Sequence, residues 1–143
     1  MHTENKKVTT DEVMKVARSW IGVPYKHQGR SRRGVDCGGL LLCIGRDLDV
    51  KLLEPSVEYS MSPDPELILK GLLDNCDPIA NIDDMKPGDV IHFSFAGEPR
   101  HVGLATDIGV IHSWAKPKKV VEHRLDSVWS HRIVNIYRPK AII

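Results

Sequence analysis

One cysteine in this sequence has the setting of a nucleophile. Cys37 follows Asp36, a residue type that caps helix N-termini, and precedes an apolar stretch at 40–48 that predicts a buried helix. A helix N-terminus favours a thiolate, and the basic residues at 26–34 act in the same direction. We therefore expect the pKa of Cys37 to be lowered. The alternative is a small, inert core residue, which is our interpretation of Cys43 within the same stretch.

A cysteine nucleophile needs a base, usually histidine, and a group that orients the base. The sequence has seven histidines. His101 begins a predicted strand directly after a turn, and His112 lies on the next predicted strand, across a hairpin at 107–109. Antiparallel pairing brings the two rings near each other, so one could take the thiol proton while the other orients it. The alternative is a pair of half-buried strand histidines with structural hydrogen bonds.

Two further features lie upstream of the cysteine. Tyr25 precedes Cys37 by twelve residues. Its phenol could donate to a developing oxyanion, or it is an ordinary loop tyrosine. The loop at 26–34 carries four cations and no acid, which suits acidic peptides or phosphates and is also typical of a solvated loop. These cations are Lys26, Arg30, Arg32 and Arg33.

Metal binding is the main chemical alternative for the same side chains. Cys37, His101 and His112 would make a plausible zinc set. However, the sequence contains no Cys-x-x-Cys pair and no His-x-x-x-His pair. The glycines at 34–39 lack the preceding strand and the spacing of a phosphate-binding loop. We therefore predict neither a metal nor a cofactor.

The elements that must position these residues fall into two halves. Thr9 and Glu12 have the spacing of a capping box, and the first half then shows helical periodicity. The second half shows short strands separated by tight turns, with one helical turn at 126–130. Helices first and strands second predict an α+β fold with an antiparallel sheet of about five strands. The predicted helices are 13–21, 40–48 and 65–73, the connectors 54–65 and 74–84, and the strands 90–95, 102–106, 110–114, 120–123 and 133–137.

Composition limits the class of protein. With 143 residues and 41% hydrophobic residues, the chain has the size of one domain, which we place at 8–143 after a flexible tail at 1–7. A net charge of +1 argues against a nucleic-acid partner. No apolar run reaches the roughly 18 residues of a membrane span, so no membrane partner is predicted. The polar tail suggests no secretory signal, hence synthesis in the cytoplasm. Three cysteines make a disulfide framework unexpected.

The motifs also occur in a characteristic order. Residues 17–25 lead to 35–40 around Cys37, and these are followed by 86–93, by 101–104 and by 110–113. In this order they resemble the NlpC family of papain-like cell-wall cysteine endopeptidases, over residues 12–138. The resemblance implies a papain-like fold, in which the cysteine opens a helix packed on an antiparallel sheet. It also implies Cys37 as nucleophile, His101 as general base, His112 as orienting residue, and Tyr25, Asp36 and Gly38 as substrate-binding or oxyanion positions.

The resemblance further implies a substrate and a setting. Members of the family cleave peptidoglycan stem peptides between γ-linked D-glutamate and a diamino acid. Residues 27–30 and 120–125, with Trp129 and Arg132, resemble phage and prophage members found at tail tips. This implies phage tail proteins as partners and action at the bacterial cell wall as part of a phage particle. Gly38 stands where the family commonly has serine, so a hydroxyl that could contact substrate is absent.

Two other functions fit the same residues. The first is a structural tail component that keeps the fold without catalysis. The second is an enzyme that forms the acyl-enzyme but transfers the acyl group to an amine or a lipid. A reactive Cys37 thiol separates the first from an enzyme, and product analysis separates the second from a hydrolase.

Overall fold

The computed structural model describes residues 6–53 and 64–143. Within them, helices precede an antiparallel sheet of six strands, which is the α+β architecture that the sequence predicts. The fold is papain-like. The helices are α1 (Thr10–Arg18), α2 (Cys37–Asp47), α3 (Pro65–Asn75) and the short α4 (Ser127–His131).

The helices begin where the sequence places their caps. The Thr9 side chain accepts a hydrogen bond from the Glu12 amide at 3.2 Å, and the Glu12 carboxylate accepts one from the Thr9 amide, which completes the capping box of α1. Asp36 caps α2, and this helix starts at Cys37, as the cap predicts. Asp64 caps α3. The rest of the predicted loop, residues 54–63, lies outside the described residues.

The main sheet has one strand more than the five predicted. The additional strand lies in the predicted acidic connector at 74–84, where Cys76 pairs with Pro139 and Ile79 with Ile136. Cys76 and its partner Pro139 are 63 residues apart in the sequence. This strand therefore forms through tertiary pairing, and no local sequence pattern predicts it. A second, two-stranded sheet spans residues 30–35, so it begins in the predicted loop at 26–34 and ends one residue beyond it. The strands are β1 (Arg30–Ser31), β2 (Gly34–Val35), β3 (Cys76–Ile79), β4 (Val90–Phe95), β5 (Glu98–Ala105), β6 (Val110–Trp114), β7 (Lys119–His123) and β8 (Ile133–Pro139).

The strand order β3-β8-β4-β5-β6-β7 gives the sheet two apolar faces. Because side chains alternate along a strand, Val90 packs with the helices whereas its neighbour Ile91 packs on the opposite face. The first face is covered by α1, α2 and α3, and that core is filled by helix residues such as Leu40 together with Trp20 from the turn after α1. The second face is covered by Trp129 of α4. The histidines of the candidate site belong to this second face.

The chain ends meet at the edge of the helical layer. Lys7 donates from Nζ to the carbonyl oxygen of Lys140 at 2.7 Å, and Val8 forms a parallel bridge with Ile142. Residues 1–5 of the predicted tail lie outside the described residues. None of the four helices described here has the length and apolarity needed to cross a membrane.

Candidate active site

The thiol of Cys37 lies where α2 meets the sheet. Cys37 is the first residue of α2 and only 6% of its surface is exposed. Its sulfur faces the backbone amide of Val102 on β5, together with its own amide and that of Gly38. Val102 directly follows His101 along β5. The structure therefore brings the nucleophile candidate to the strand that carries the base candidate.

Asp36 holds the start of α2 against the basic loop. Its Oδ1 accepts a hydrogen bond from the Gly39 amide at 2.7 Å and lies 3.3 Å from Nη1 of Arg30. Its Oδ2 accepts one from the backbone amide of Gln28 at 2.9 Å. The carboxylate is 2% exposed. Asp36 thus fixes the position of the helix end that presents Cys37.

The expected lowering of the Cys37 pKa is wrong. Burial raises the pKa of this thiol to about 12, and the negative charge of Asp36 acts in the same direction. The backbone amides of Val102, Gly38 and Cys37 lower it by less. Arg30 of the loop is paired with Asp36, and no cation of the loop is among the causes that shift the pKa of this thiol. Sequence shows the helix end and the cations but neither the depth of burial nor this pairing.

Tyr25 and Gly38 both lie near the thiol. Tyr25 is half-buried, and its pKa is raised by burial, then by the charges of Cys37 and Asp36, so the phenol keeps its proton. Its backbone amide donates to the carbonyl oxygen of Lys118 at 2.9 Å. Gly38 occupies the second position of α2, and a Cβ built there would meet no atom within 4 Å. The space that the family's serine would fill is open.

On the sheet side, three histidine rings form a chain. Nε2 of His101 lies 2.6 Å from Nδ1 of His112, as the predicted pairing requires. The chain continues beyond that pair, because Nε2 of His112 lies 2.7 Å from Nε2 of His123. Nδ1 of His123 lies 2.7 Å from the carbonyl oxygen of Arg124. The rings therefore link β5, β6 and β7 through side chains.

Strand register explains why these rings meet. Leu104 of β5 pairs with Ile111 of β6 and Ala105 with Val110, so continuing the register puts His112 opposite position 103. His101 is thus the diagonal neighbour of His112 on the same face. Position 103 is Gly103, and a Cβ there would lie 3.2 Å from the Cβ of His112 and 2.6 Å from Cγ2 of Val110. Because Gly103 has no side chain, the space beside His112 stays open, and the rings of His101 and His112 can make contact there.

Aromatic side chains surround the chain of histidines. The Trp129 ring lies edge-on to His112, with centroids 4.7 Å apart, and 5.2 Å from His123. Phe95 lies edge-on to His101 at 5.2 Å. Burial lowers the pKa of His101 to about 3, with Arg132 and His92 acting in the same direction. Burial lowers the pKa of His112 to about 2. Both rings are therefore neutral at physiological pH.

His123 was missed by the sequence analysis. The signal for it is the spacing of the three histidines. His101, His112 and His123 follow one another at intervals of eleven residues, and in this sheet that interval makes residues on neighbouring strands diagonal neighbours. Among residues 6–53 and 64–143, no group of three metal-ligand side chains is placed to hold a metal ion. The predicted alternative of a zinc set from Cys37, His101 and His112 is therefore not assembled in this arrangement.

The NlpC/P60 family profile matches residues 22–138. The chain belongs to the NlpC/P60 family. Among curated proteins, the probable endopeptidase NlpC of Escherichia coli K12 is 29% identical over 115 residues. That match spans 78% of this chain and 66% of the relative, which is just under two thirds of the relative's length.

Solved structures of this family share the fold. The NlpC/p60 domain of the peptidoglycan hydrolase SagA superposes with a TM-score of 0.66 at 19% identity, over 91% of this chain and 98% of that domain. An NlpC/P60 family protein from Bacillus cereus gives a TM-score of 0.72 at 19% identity, over 95% of this chain and 42% of the other. At this identity the likeness is one of fold.

Proposed function

We propose that this protein is a thiol hydrolase that cleaves peptide bonds of bacterial peptidoglycan, with Cys37 as nucleophile, His101 as general base and His112 as orienting residue. One observation carries the proposal. The Cys37 thiol lies against the amide of Val102, the residue next to His101, and the ring of His101 bonds the ring of His112 at 2.6 Å. Family membership supports the reaction class. The Escherichia coli relative is named a probable endopeptidase, and SagA a peptidoglycan hydrolase.

The first step starts from uncharged partners. Burial keeps the thiol of Cys37 protonated and the ring of His101 neutral. The proton therefore passes from sulfur to the ring as the sulfur bonds the scissile carbonyl carbon. The imidazolium then gives this proton to the leaving amine when the carbon–nitrogen bond breaks. A thioester remains, and water that loses a proton to His101 hydrolyses it to a carboxylate and the free thiol.

The start of α2 supplies donors for the oxyanion. The first amides of a helix have no partner within it, so the amides of Cys37 and Gly38 are free of the helical ladder and face the reacting sulfur. Donors fixed before reaction stabilise the charge that develops on the carbonyl oxygen. The protonated phenol of Tyr25 supplies a further donor beside the thiol. Asp36 keeps this helix end in place.

The substrate we propose is the stem peptide, cut between γ-linked D-glutamate and a diamino acid. A γ-linked glutamate carries a free α-carboxylate next to the scissile bond. Lys26 and Arg33 are exposed on the loop beside the site and provide charge that attracts it. Arg30 and Arg32 instead pair with Asp36 and Asp47, so they chiefly hold the loop in place.

We also propose that the protein reaches the cell wall with a phage tail. This part rests on the sequence resemblance of residues 27–30 and 120–125 to phage and prophage members. Mass spectrometry of purified particles from an induced lysogen tests it, because a tail component co-purifies at a constant ratio to the tail proteins. Absence from the particles would remove phage delivery and leave the hydrolase proposal untouched.

The test of catalysis is Cys37→Ala on purified peptidoglycan, with Cys43→Ala as the matched control on the same helix. We expect Cys37→Ala to release no new amino termini, with an unchanged melting temperature, while Cys43→Ala keeps its activity. Mass spectrometry of the products identifies the bond. Full activity of Cys37→Ala contradicts the proposal. A product joined to an added amine identifies an acyl transferase, and intact substrate with a wild-type protein that still binds particles favours a structural tail component.

A further inference from the structure

We propose that His123 is a positioning residue that fixes the tautomers of His112 and His101. The inference rests on the proposed function for its catalytic meaning, because it assumes His101 to be the base. Its structural content stands alone, since it concerns which nitrogen of each ring carries a proton. The histidine chain, defined as the rings of His101, His112 and His123, is fixed at one end by a backbone carbonyl.

The carbonyl oxygen of Arg124 sets the direction of the histidine chain. A carbonyl oxygen only accepts, so Nδ1 of His123, at 2.7 Å, carries the proton. In the neutral form of the His123 ring only one nitrogen is protonated, so Nε2 is then bare and accepts from Nε2 of His112. Nδ1 of His112 is then bare and accepts from Nε2 of His101. This leaves Nδ1 of His101 as its unprotonated nitrogen, the form that a general base requires.

The surroundings favour this direction. Running the chain the other way requires protons on both nitrogens of His123, which makes that ring a cation. It would also put the proton of His101 on Nδ1 and leave the ring without a free nitrogen for the thiol proton. The Trp129 ring covers His123 and His112, and His112 has no exposed surface. A cationic His123 would be half-buried against Trp129, so it would carry part of the desolvation cost of a buried charge, and this favours the neutral chain.

The geometry of the sheet makes His123 the specific partner. Val121 pairs with His112, so His123 is its diagonal neighbour on the same face of β7, opposite Val110. The step from β5 to β6 is repeated from β6 to β7. The ring of His123 is also held at its other nitrogen by Arg124 and on its side by Trp129. A ring held at three points presents one acceptor to His112.

Tautomers are read directly in the free protein by long-range proton–nitrogen NMR of nitrogen-15 histidines. We expect His123 protonated on Nδ1, and His112 and His101 on Nε2. In His123→Phe, which keeps the ring shape and removes both nitrogens, His112 loses its acceptor and its single tautomer. In His123→Gln, the side-chain oxygen replaces Nε2 as acceptor, and His112 keeps its proton on Nε2. Protonation of His112 on Nδ1 in the wild type, or unchanged tautomers in His123→Phe, would overturn the inference.

Kinetics of the same variants test the catalytic meaning. Losing one hydrogen bond to a buried group corresponds to roughly a tenfold to hundredfold effect. We expect His123→Phe to lower kcat by about that factor with KM unchanged, and His123→Gln to restore most of it. His131→Phe is the matched control, because His131 is exposed and its ring bonds the Ser127 carbonyl oxygen of its own helix. Equal loss in the Phe and Gln variants would mean that His123 only fills space.

A second readout needs no substrate. Alkylation of Cys37 by iodoacetamide near neutral pH also requires removal of the thiol proton. We expect it to slow in His123→Phe and to recover in His123→Gln. If peptidoglycan is not cleaved but this pattern holds, the proposed function fails and the positioning role stands. If peptidoglycan is cleaved at equal rates by all variants, the positioning role fails and the proposed function stands.

Discussion

On the helix side of the site a charged network holds Cys37, whereas on the strand side neutral rings hold one another. Asp36 joins Arg30 and the amide of Gly39 at the start of α2. The histidine chain runs from ring to ring and ends at the carbonyl oxygen of Arg124. The charged network on the helix side therefore fixes the position of the Cys37 sulfur, and the histidine chain on the strand side fixes which ring nitrogens carry protons.

The comparison explains how a buried thiol and a buried imidazole can serve as a catalytic pair. Burial, and then the charge of Asp36, raise the pKa of the Cys37 thiol, and burial lowers the pKa of His101. Neither group is charged at rest, so charge appears only when substrate is attacked. The amides at the helix start and the order of the rings are in place before that moment.

The largest effect should come from removing the base on the strand side. His101→Gln keeps a polar side chain but cannot carry a proton from sulfur to the leaving amine. We expect kcat/KM on peptidoglycan peptides to fall roughly 1000-fold, because a general base typically accelerates a reaction by about 100- to 10,000-fold. His131→Gln, on an exposed residue, should leave kcat/KM unchanged. Residual activity above a tenth of wild type in His101→Gln would assign the base to another residue.

The next effect should come from crowding the helix side. A Cβ at Gly39 would overlap the carbonyl oxygen of Gly29 and lie 2.7 Å from Nη1 of Arg30. We expect Gly39→Ala to lower the free energy of unfolding by about 3 kcal/mol, because backbone cannot move aside as a side chain can. Urea unfolding measures this difference.

Gly38→Ala provides the matched control for that substitution. A Cβ at Gly38 meets nothing within 4 Å, so we expect it to stabilise α2 by about 0.5–1 kcal/mol through helix propensity. Equal effects at the two adjacent glycines would contradict the close approach of the basic loop at Gly39.

A smaller effect should follow from removing one charge. Asp36→Asn keeps an N-cap but removes the negative charge that raises the pKa of Cys37. The pKa of the thiol should fall, so alkylation by iodoacetamide near neutral pH should become several-fold faster. Asp64→Asn makes the same change at the cap of α3 and should leave the rate unchanged. A slower rate in Asp36→Asn would mean that loss of helix position outweighs loss of charge.

The smallest effect concerns acid stability. The pKa of His101 is about 3 in the folded protein, whereas the ordinary value is 6.5, so the unfolded chain binds more protons between these values. Stability therefore falls as the pH drops from about 6.5 towards 3. We expect the melting temperature to decrease from pH 7 to pH 4, and to decrease less in His101→Gln than in His131→Gln. An identical slope in the two variants would mean that His101 does not titrate on unfolding.

Much of the helix side could be predicted from the sequence. Thr9 and Asp36 are caps whose signals are local, so the start of α1 and the placement of Cys37 at a helix end followed directly. The pKa of the thiol did not follow. Its sign depends on burial and on the pairing of Arg30 with Asp36, which are set by packing between segments.

The strand side was predictable only in part. Alternation and turn residues identified five strands, and the pairing of His101 with His112 followed from one hairpin. The strand at Cys76–Ile79 could not be predicted, because it forms against β8. His123 needed the register of two successive hairpins together. Spacing by eleven residues becomes informative only once that register is known.

The histidine chain ends at a carbonyl oxygen, and a proton cannot leave the chain through that oxygen. A proton taken from Cys37 can be shared along the rings towards His123, but the oxygen of Arg124 cannot accept it as a base would. The Arg124 end of the chain therefore takes up no proton, and a proton shared along the rings can return to His101. Positive charge can spread away from the sulfur while the thioester forms, and the proton remains stored for the amine that leaves.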